Sequence, residues 1–315
     1  MQNIPSVDLR DFLSGEPERK QKFVNEIGKA FEEIGFVALK GHFLDDQLVD
    51  ELYGEIRNFF SLPLETKYSY EIPGIGGQRG YVSFGKEHAK GRKEGDLKEF
   101  WHFGQYVEKG SKYAEEYPDN VVVKELPRFN EVGKEAYKML EKTGIYVLRA
   151  LALHLGLDEY YFDQFGYNGN SILRPIHYPP ITSEPENAIR AAAHGDINLI
   201  TLLMGAQGKG LQVQRHDGTW IDAVAEPDEL VINVGDMLHR MSNGKLLSTP
   251  HRVINTSGRE RYSVPFFFDP NISTIVAPLP GTGAPKFDPL NFGDFLRAEL
   301  GASYDAHQAD QSSRK

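Results

Sequence analysis

Three short clusters in the second half of the chain bring together residue types that bind metals and anions. His194-Gly195-Asp196 sets an imidazole and a carboxylate two positions apart, so an extended segment turns both to one side. A second imidazole, His251, opens His251-Arg252-Val253 after the Asn243-Gly244 turn. Ten residues on, Arg261-Tyr262-Ser263 repeats the alternation with a guanidinium and a hydroxyl. Two imidazoles and one carboxylate on one face of a metal leave three adjacent positions open, as non-haem iron(II) sites need for substrate and dioxygen. Arg261 and Ser263, projecting together, suit a carboxylate through a charged fork plus a hydroxyl. An H-x-D alone is ordinary in a chain with ten histidines. What favours a site is its combination with the distal His251 and the Arg-x-Ser pair.

The elements that must position these residues follow from hydrophobic period. From Glu18, Phe23, Ile27, Ala30, Phe31 and Ile34 recur at the spacing of one helix face, and Gly35 ends the run. Phe36 to Leu39 reads as a buried strand. Asp45 caps a second helix with Leu48, Leu52, Ile56 and Phe59 on one side, and a short third piece follows Pro63. Residues 70–125 read as loop-rich. Their cluster Pro73-Gly74-Ile75-Gly76-Gly77 misses a dinucleotide-binding fingerprint, because Arg79 stands where the third glycine is required. A long helix is expected over about 126–154. After residue 170 the period changes to 2, with strands expected at 171–178, 198–204, 211–215, 220–224, 230–234, 251–255 and 261–268. Seven short strands at that spacing imply a sandwich or barrel such as a jelly roll.

Composition narrows the chemistry. The 315 residues carry 35 basic and 45 acidic side chains, a net charge of −10, and no basic stripe, which argues against nucleic acid as a partner. There is no cysteine, so disulfides, thiolate nucleophiles and iron–sulfur clusters are excluded, and a metal must sit on His, Asp or Glu. The most apolar stretch, 145–153, is broken by Arg149 and falls far short of a membrane span. No secretory signal is recognisable, so a cytoplasmic monomer acting on a small molecule is the expectation.

The residues then resemble a known family. His194-Gly195-Asp196, Gly210-Leu211-Gln212-Val213, Val234-Gly235-Asp236, Ser242-Asn243-Gly244, His251-Arg252-Val253 and Arg261-Tyr262-Ser263 with Phe266-Phe267-Phe268 resemble the iron(II)/2-oxoglutarate dioxygenases of the isopenicillin N synthase-like superfamily. Ile4-Pro5, Asp8-Leu9, Gly35-Phe36-Val37 and Phe59 to Pro63 look like its N-terminal region, while Gly80-Tyr81, Gly85, Glu87 and Asp96 to Phe100 look like its bacterial members. The resemblance spans about residues 4–290.

It implies an α+β chain with a mostly β core, a double-stranded β-helix (jelly roll) wrapped by helices. The division expected is a helical, loop-rich N-terminal region (1–165), the jelly-roll core (166–290) and a C-terminal helix with a frayed tail (291–315). His194, Asp196 and His251 take the place of the iron ligands, and Arg261, Ser263 and Tyr178 those of the 2-oxoglutarate contacts. The run Ile176-His177-Tyr178-Pro179 departs from the usual Asn-Tyr-Tyr-Pro at its first two positions. Arg174, Phe266 and Phe268 are expected at the substrate, and segments 79–87 and 98–101 as a lid.

The implied reaction consumes 2-oxoglutarate and O2 at iron(II), Fe(2+), with ascorbate as a stimulant. It releases succinate and CO2 and hydroxylates, desaturates or cyclises a small molecule. Arg261 then matters because a dianion entering a protein of charge −10 needs a cation. Two other readings stand beside this one. The first is an iron oxidase of the same superfamily that does not use 2-oxoglutarate. The second is a zinc hydrolase on the same His/Asp/His set, although zinc usually keeps one open position rather than three.

Overall fold

In a computed structural model of the chain, residues 3–86, 98–180, 189–204, 210–254 and 259–301 are described, those at 189–192 by their backbone. β1 (Ser6–Asp8), α1 (Leu9–Leu13), α2 (Pro17–Glu33), β2 (Phe36–Lys40), α3 (Asp46–Phe60) and α4 (Leu64–Tyr68) open the fold. β3 (Gly80–Val82) and β4 (Glu99–Gly104) precede the long α5 (Pro127–His154) and the short α6 (Asp163–Gly166). Strands follow: β5 (Ile172–Leu173), β6 (Ile176–Tyr178), β7 (Ile189–His194), β8 (Ile200–Leu203), β9 (Leu211–Gln214), β10 (Trp220–Asp222) and β11 (Leu230–Val234). After α7 (Asp236–Met241) come β12 (His251–Ile254), β13 (Arg261–Ser263), β14 (Pro265–Phe268), β15 (Ile275–Val276) and β16 (Leu290–Asn291). Among the described residues no helix is long and apolar enough to cross a membrane.

Ten strands form one large sheet, and four more, in the order β10-β9-β12-β7, form a second. β5 and β6 lie along the same strand β4, and β14 and β13 pair with them in turn, so each couple is one long strand broken in the middle. β1 and β2 join this sheet through the pairing of β2 with β11. The N-terminal region therefore contributes strands to the sheet that the C-terminal region builds.

The large sheet has two faces of different character. Its outer face packs on α5, where Phe103 and Phe268 fill the space left by Gly133 and Gly144. Phe266 sits 5.0 Å from the Tyr137 ring, and Phe59 stacks on Phe129 at 4.9 Å. Alternation then turns Phe100, His102, Gly104, Ile172, Arg174, Phe267 and Thr201 to the inner face, toward the second sheet. At one end of this interior, Phe36, Ala38, Leu211, Val213 and Val231 make an apolar plug.

Several expectations meet a different arrangement. Phe266 and Phe268 are fully buried against α5, so they belong to the core and not to a substrate wall. Residues 70–125 contain β3 and β4, and within the supposed lid Gly80–Val82 and Glu99–Trp101 are buried strand, while 84–86 form a turn with Phe84 exposed. Glu87 lies outside the described residues. The helix at 45–60 forms as its spacing predicts, with the Asp45 side chain accepting from the Leu48 amide at 2.8 Å.

One buried polar cluster braces the sheet behind β6 and β13. Glu99 accepts from Lys67 at 2.7 Å and from the Tyr81 hydroxyl, and it meets His177 Nδ1 at 2.7 Å. His177 Nε2 lies 2.8 Å from Glu260, and its ring stacks on Tyr262 at 4.9 Å. Burial pushes the Glu99 carboxyl up, but His177, Lys67 and Tyr81 together hold it below its ordinary value.

A carboxyl depressed on folding stabilises the native state above its unfolded pKa and loses that contribution as pH falls through its folded value. Urea midpoints measured from pH 7 downward will therefore drop on acidification below the ordinary Glu range, about 4.3. Glu99→Gln will start less stable and lose that part of the acid dependence. Gly144→Val, whose Cβ would come within 2.4 Å of the Phe268 ring, will cost about 1–3 kcal/mol in the same assay.

Candidate active site

β7 and β12 are neighbours in the smaller sheet, and their register sets His194 opposite His251 with ring centroids 4.5 Å apart. Asp196, two residues past His194, reaches the same side. Its Oδ1 lies 3.9 Å from His194 Nε2 and 3.8 Å from His251 Nε2. One donor atom from each of the three falls within 4.8 Å of the others, and among the described residues no other such trio forms. His194 is half-exposed, whereas His251 is buried, its ring edge-on to Phe36 at 5.5 Å.

The larger sheet orients this carboxylate. Asp196 Oδ2 accepts from Thr201 Oγ1 at 2.6 Å and from Asn233 Nδ2 at 2.8 Å, and Asn198 Nδ2 donates to Thr201 Oγ1 at 2.8 Å. Oδ1 is left to face the two imidazoles. Burial pushes the Asp196 pKa up, but His251, His194 and these hydrogen bonds outweigh it and hold the group ionised. Burial also keeps the His251 imidazole below its ordinary value, favouring the neutral form that a metal binds. The backbone is fixed too, since the Asp196 carbonyl accepts from the Asp236 amide at 2.7 Å. Gly235 has no room for a side chain, since a Cβ there would lie 2.2 Å from Asn198. One free carboxylate oxygen, two imidazole nitrogens and a hydrogen-bonded support suit a divalent first-row ion such as iron(II).

β13 and β6 supply the neighbouring wall. Arg261 pairs with Tyr178 and Ser263 with Ile176, so these side chains share the inner face while His177 and Tyr262 share the other. Arg261 Nε and Nη1 are buried and have no hydrogen-bond partner among the described residues. Burial lowers the Arg261 pKa, with Tyr178 and Tyr53 opposing that shift, yet a guanidinium stays charged in proteins. An unpartnered, buried cation fits an incoming carboxylate. Arg174 also faces inward, its Nε 2.6 Å from His102 Nε2 and its guanidinium 5.2 Å from the centre of the Phe267 ring.

The structure therefore places His194, Asp196 and His251 together, and sets Arg261, Ser263 and Tyr178 on one face of β13 and β6. Sequence reasoning missed Thr201, Asn233 and Phe267. A signal for the first two existed: each is a lone polar residue inside a buried apolar strand, Ile200–Leu203 and Leu230–Val234. For Phe267 none existed, because all three of Phe266, Phe267 and Phe268 are apolar.

Removing the support should weaken the metal. Thr201→Val or Asn233→Leu is expected to lower iron(II) affinity by about 10–100-fold in an anaerobic titration. Affinity unchanged in both variants would mean that the ligands hold their geometry unaided.

The comparisons with known proteins agree with this geometry. Residues 4–125 match the model described as non-haem dioxygenase in morphine synthesis N-terminal, and residues 169–270 match the 2OG-Fe(II) oxygenase superfamily. A 2-oxoglutarate-Fe(II) type oxidoreductase of Emericella nidulans is 30% identical over 97% of this chain and 91% of its own length. A 2OG-Fe(II) oxygenase family protein from Caulobacter crescentus superposes with a TM-score of 0.86 at 38% identity, covering 95% of this chain and 99% of that one. A Neurospora crassa protein solved in complex with alpha-KG and thymine gives 0.82 at 30% identity over 95% and 96%. With the ligand trio, the jelly-roll sheets and full-length relatives in agreement, the chain belongs to the iron(II)- and 2-oxoglutarate-dependent oxygenases and is an oxidoreductase of that family.

Proposed function

We propose that His194, Asp196 and His251 hold the iron, that Arg261, Ser263 and Tyr178 hold 2-oxoglutarate, and that a small polar molecule is oxidised on the inner wall bearing Arg174. The observation that carries this is Arg261: a buried guanidinium with two unpartnered nitrogens, on the strand pair beside the trio. The bound iron supplies the activation of dioxygen, and 2-oxoglutarate supplies two electrons as it becomes succinate and CO2.

The chain's own side chains do the rest. Arg261 and Ser263 fix the far carboxylate of the cosubstrate, and Tyr178 fills the space above Val82, Phe100 and Ile176. The Asp196 support keeps one oxygen turned to the metal. The apolar plug around Phe36 and Val213 closes one end of the interior and excludes water from it. The N-terminal region (1–165) serves as a brace for the core (166–290), and we read the protein as a cytoplasmic monomer acting on a free metabolite.

A charged hydrogen bond is worth roughly 1.5–3 kcal/mol. Arg261→Ala is therefore expected to weaken 2-oxoglutarate binding by tenfold or more, about 1.4 kcal/mol. The assay is succinate formed by iron(II)-loaded protein as 2-oxoglutarate is varied. An unchanged half-saturation point in that variant would remove Arg261 from the role. Succinate formation that survives in His251→Ala would remove the metal assignment.

A further inference from the structure

We propose that Asp269 reads a nitrogen-bound hydrogen of the substrate, so that the molecule oxidised here carries an ammonium, amide or ring N–H group. The proposal rests on the function given above and names its substrate class. Asp269 directly follows β14, and it shares the inward face with Phe267 two residues earlier. Phe267 is paired with Thr201, the residue that ties down the metal-binding Asp196. Asp269 thus stands about 7 Å further along the strand from the pair that supports the metal ligand.

The carboxyl is buried at 7% exposure. Its backbone amide is satisfied by Ser171 Oγ at 3.1 Å. Among the described residues, no hydrogen bond or ion pair reaches its carboxylate oxygens. Asp196 lies near enough to oppose its ionisation, Arg174 near enough to favour it, and burial drives its pKa well up. Arg174 does not close onto it, because its Nε is turned to His102 and its guanidinium lies over Phe100 and Phe267. A buried carboxyl without a donor is costly, and natural sites leave one where a ligand completes it.

A cavity of about 630 Å³ lies between the glycine-rich loop at 73–78, Tyr117 and the helical residues 293–301, and Asn170 is part of its wall. The Asn170 amide donates to the Pro270 carbonyl at 3.2 Å, next to Asp269, and Asn170 Oδ1 is itself buried without a partner. Asp269 is thus a buried acceptor on the inner face, with the Arg174 cation near enough to favour its charge and a second unpartnered acceptor, Asn170 Oδ1, on the adjoining segment. Amino acids and lactam or imide rings share that chemistry, an N–H next to a carboxylate or carbonyl.

The test uses iron(II)- and 2-oxoglutarate-loaded full-length protein and reads succinate above the rate without added substrate. One panel holds the amino acids and nucleobases, each with its fully N-methylated partner. A second panel holds acids and alcohols without N–H. The expected result is stimulation by a member of the first panel that falls tenfold or more on N-methylation. Stimulation by an amino acid identifies an ammonium donor, and stimulation by a nucleobase identifies a neutral ring N–H. Asp269→Leu should raise KM for the active compound tenfold or more, with its thermal midpoint checking that it folds.

Stimulation confined to the second panel, indifference to N-methylation, or no response to either panel overturns the proposal. No succinate at all, with iron and 2-oxoglutarate both present, overturns the function beneath it instead.

Discussion

The division of labour between the two oxygens of Asp196 is the constraint on which the rest of the structure depends. Oδ2 is held by Thr201 and Asn233, and Oδ1 faces the two imidazoles. The histidines stand on the smaller sheet, whereas the two donors stand on adjacent strands of the larger one. The carboxylate therefore stitches the sheets together at the point where the chemistry occurs. Without that tie, a buried carboxylate would have to be compensated by the metal alone.

Once the sheets are fixed in this way, the two faces of the larger one take separate tasks. The outer face is apolar and is sealed by α5, with glycines at 133 and 144 admitting aromatic rings from the sheet. The inner face carries Arg174, His102, Thr201, Asn233 and Arg261, polar groups at positions that alternate with core residues. Broken strands extend this division. The break at Arg174-Pro175 between β5 and β6, and that at Val264 between β13 and β14, let one broken strand pair carry Arg261 and Tyr178 on one stretch and Phe267 on the next, all toward the interior.

Much of the candidate site was legible because donor type and period-2 spacing survive in the sequence. His194, Asp196 and His251 needed no knowledge of register, and neither did the Arg261–Ser263 pair. Phe266 and Phe268 were misread for a physical reason. Both faces of this sheet are buried, so an apolar run does not say which side is inward, and the cross-strand partner Thr201 decides it. β7 was missed because Ile189-Arg190-Ala191-Ala192-Ala193-His194 has no alternation and an alanine run, although pairing with β12 makes it a strand. β3 and β4 were hidden by the glycines around them.

The departure at Ile176-His177 gains a physical account from the same two-faced logic. These neighbours point to opposite sides, so the two substitutions act on different structures. Ile176 lies opposite Ser263 on the inner face and joins Val82, Phe100 and Tyr178 in an apolar patch. An aliphatic side chain there adds no hydrogen-bonding group, so the polar groups of this wall are Arg261, Ser263 and Tyr178. His177 lies behind the sheet between Glu99 and Glu260, where a tyrosine would present one hydroxyl in place of two ring nitrogens. The histidine thereby links β4 to Glu260, the residue just before β13, and the brace it forms holds the wall bearing Arg261 from its outer side.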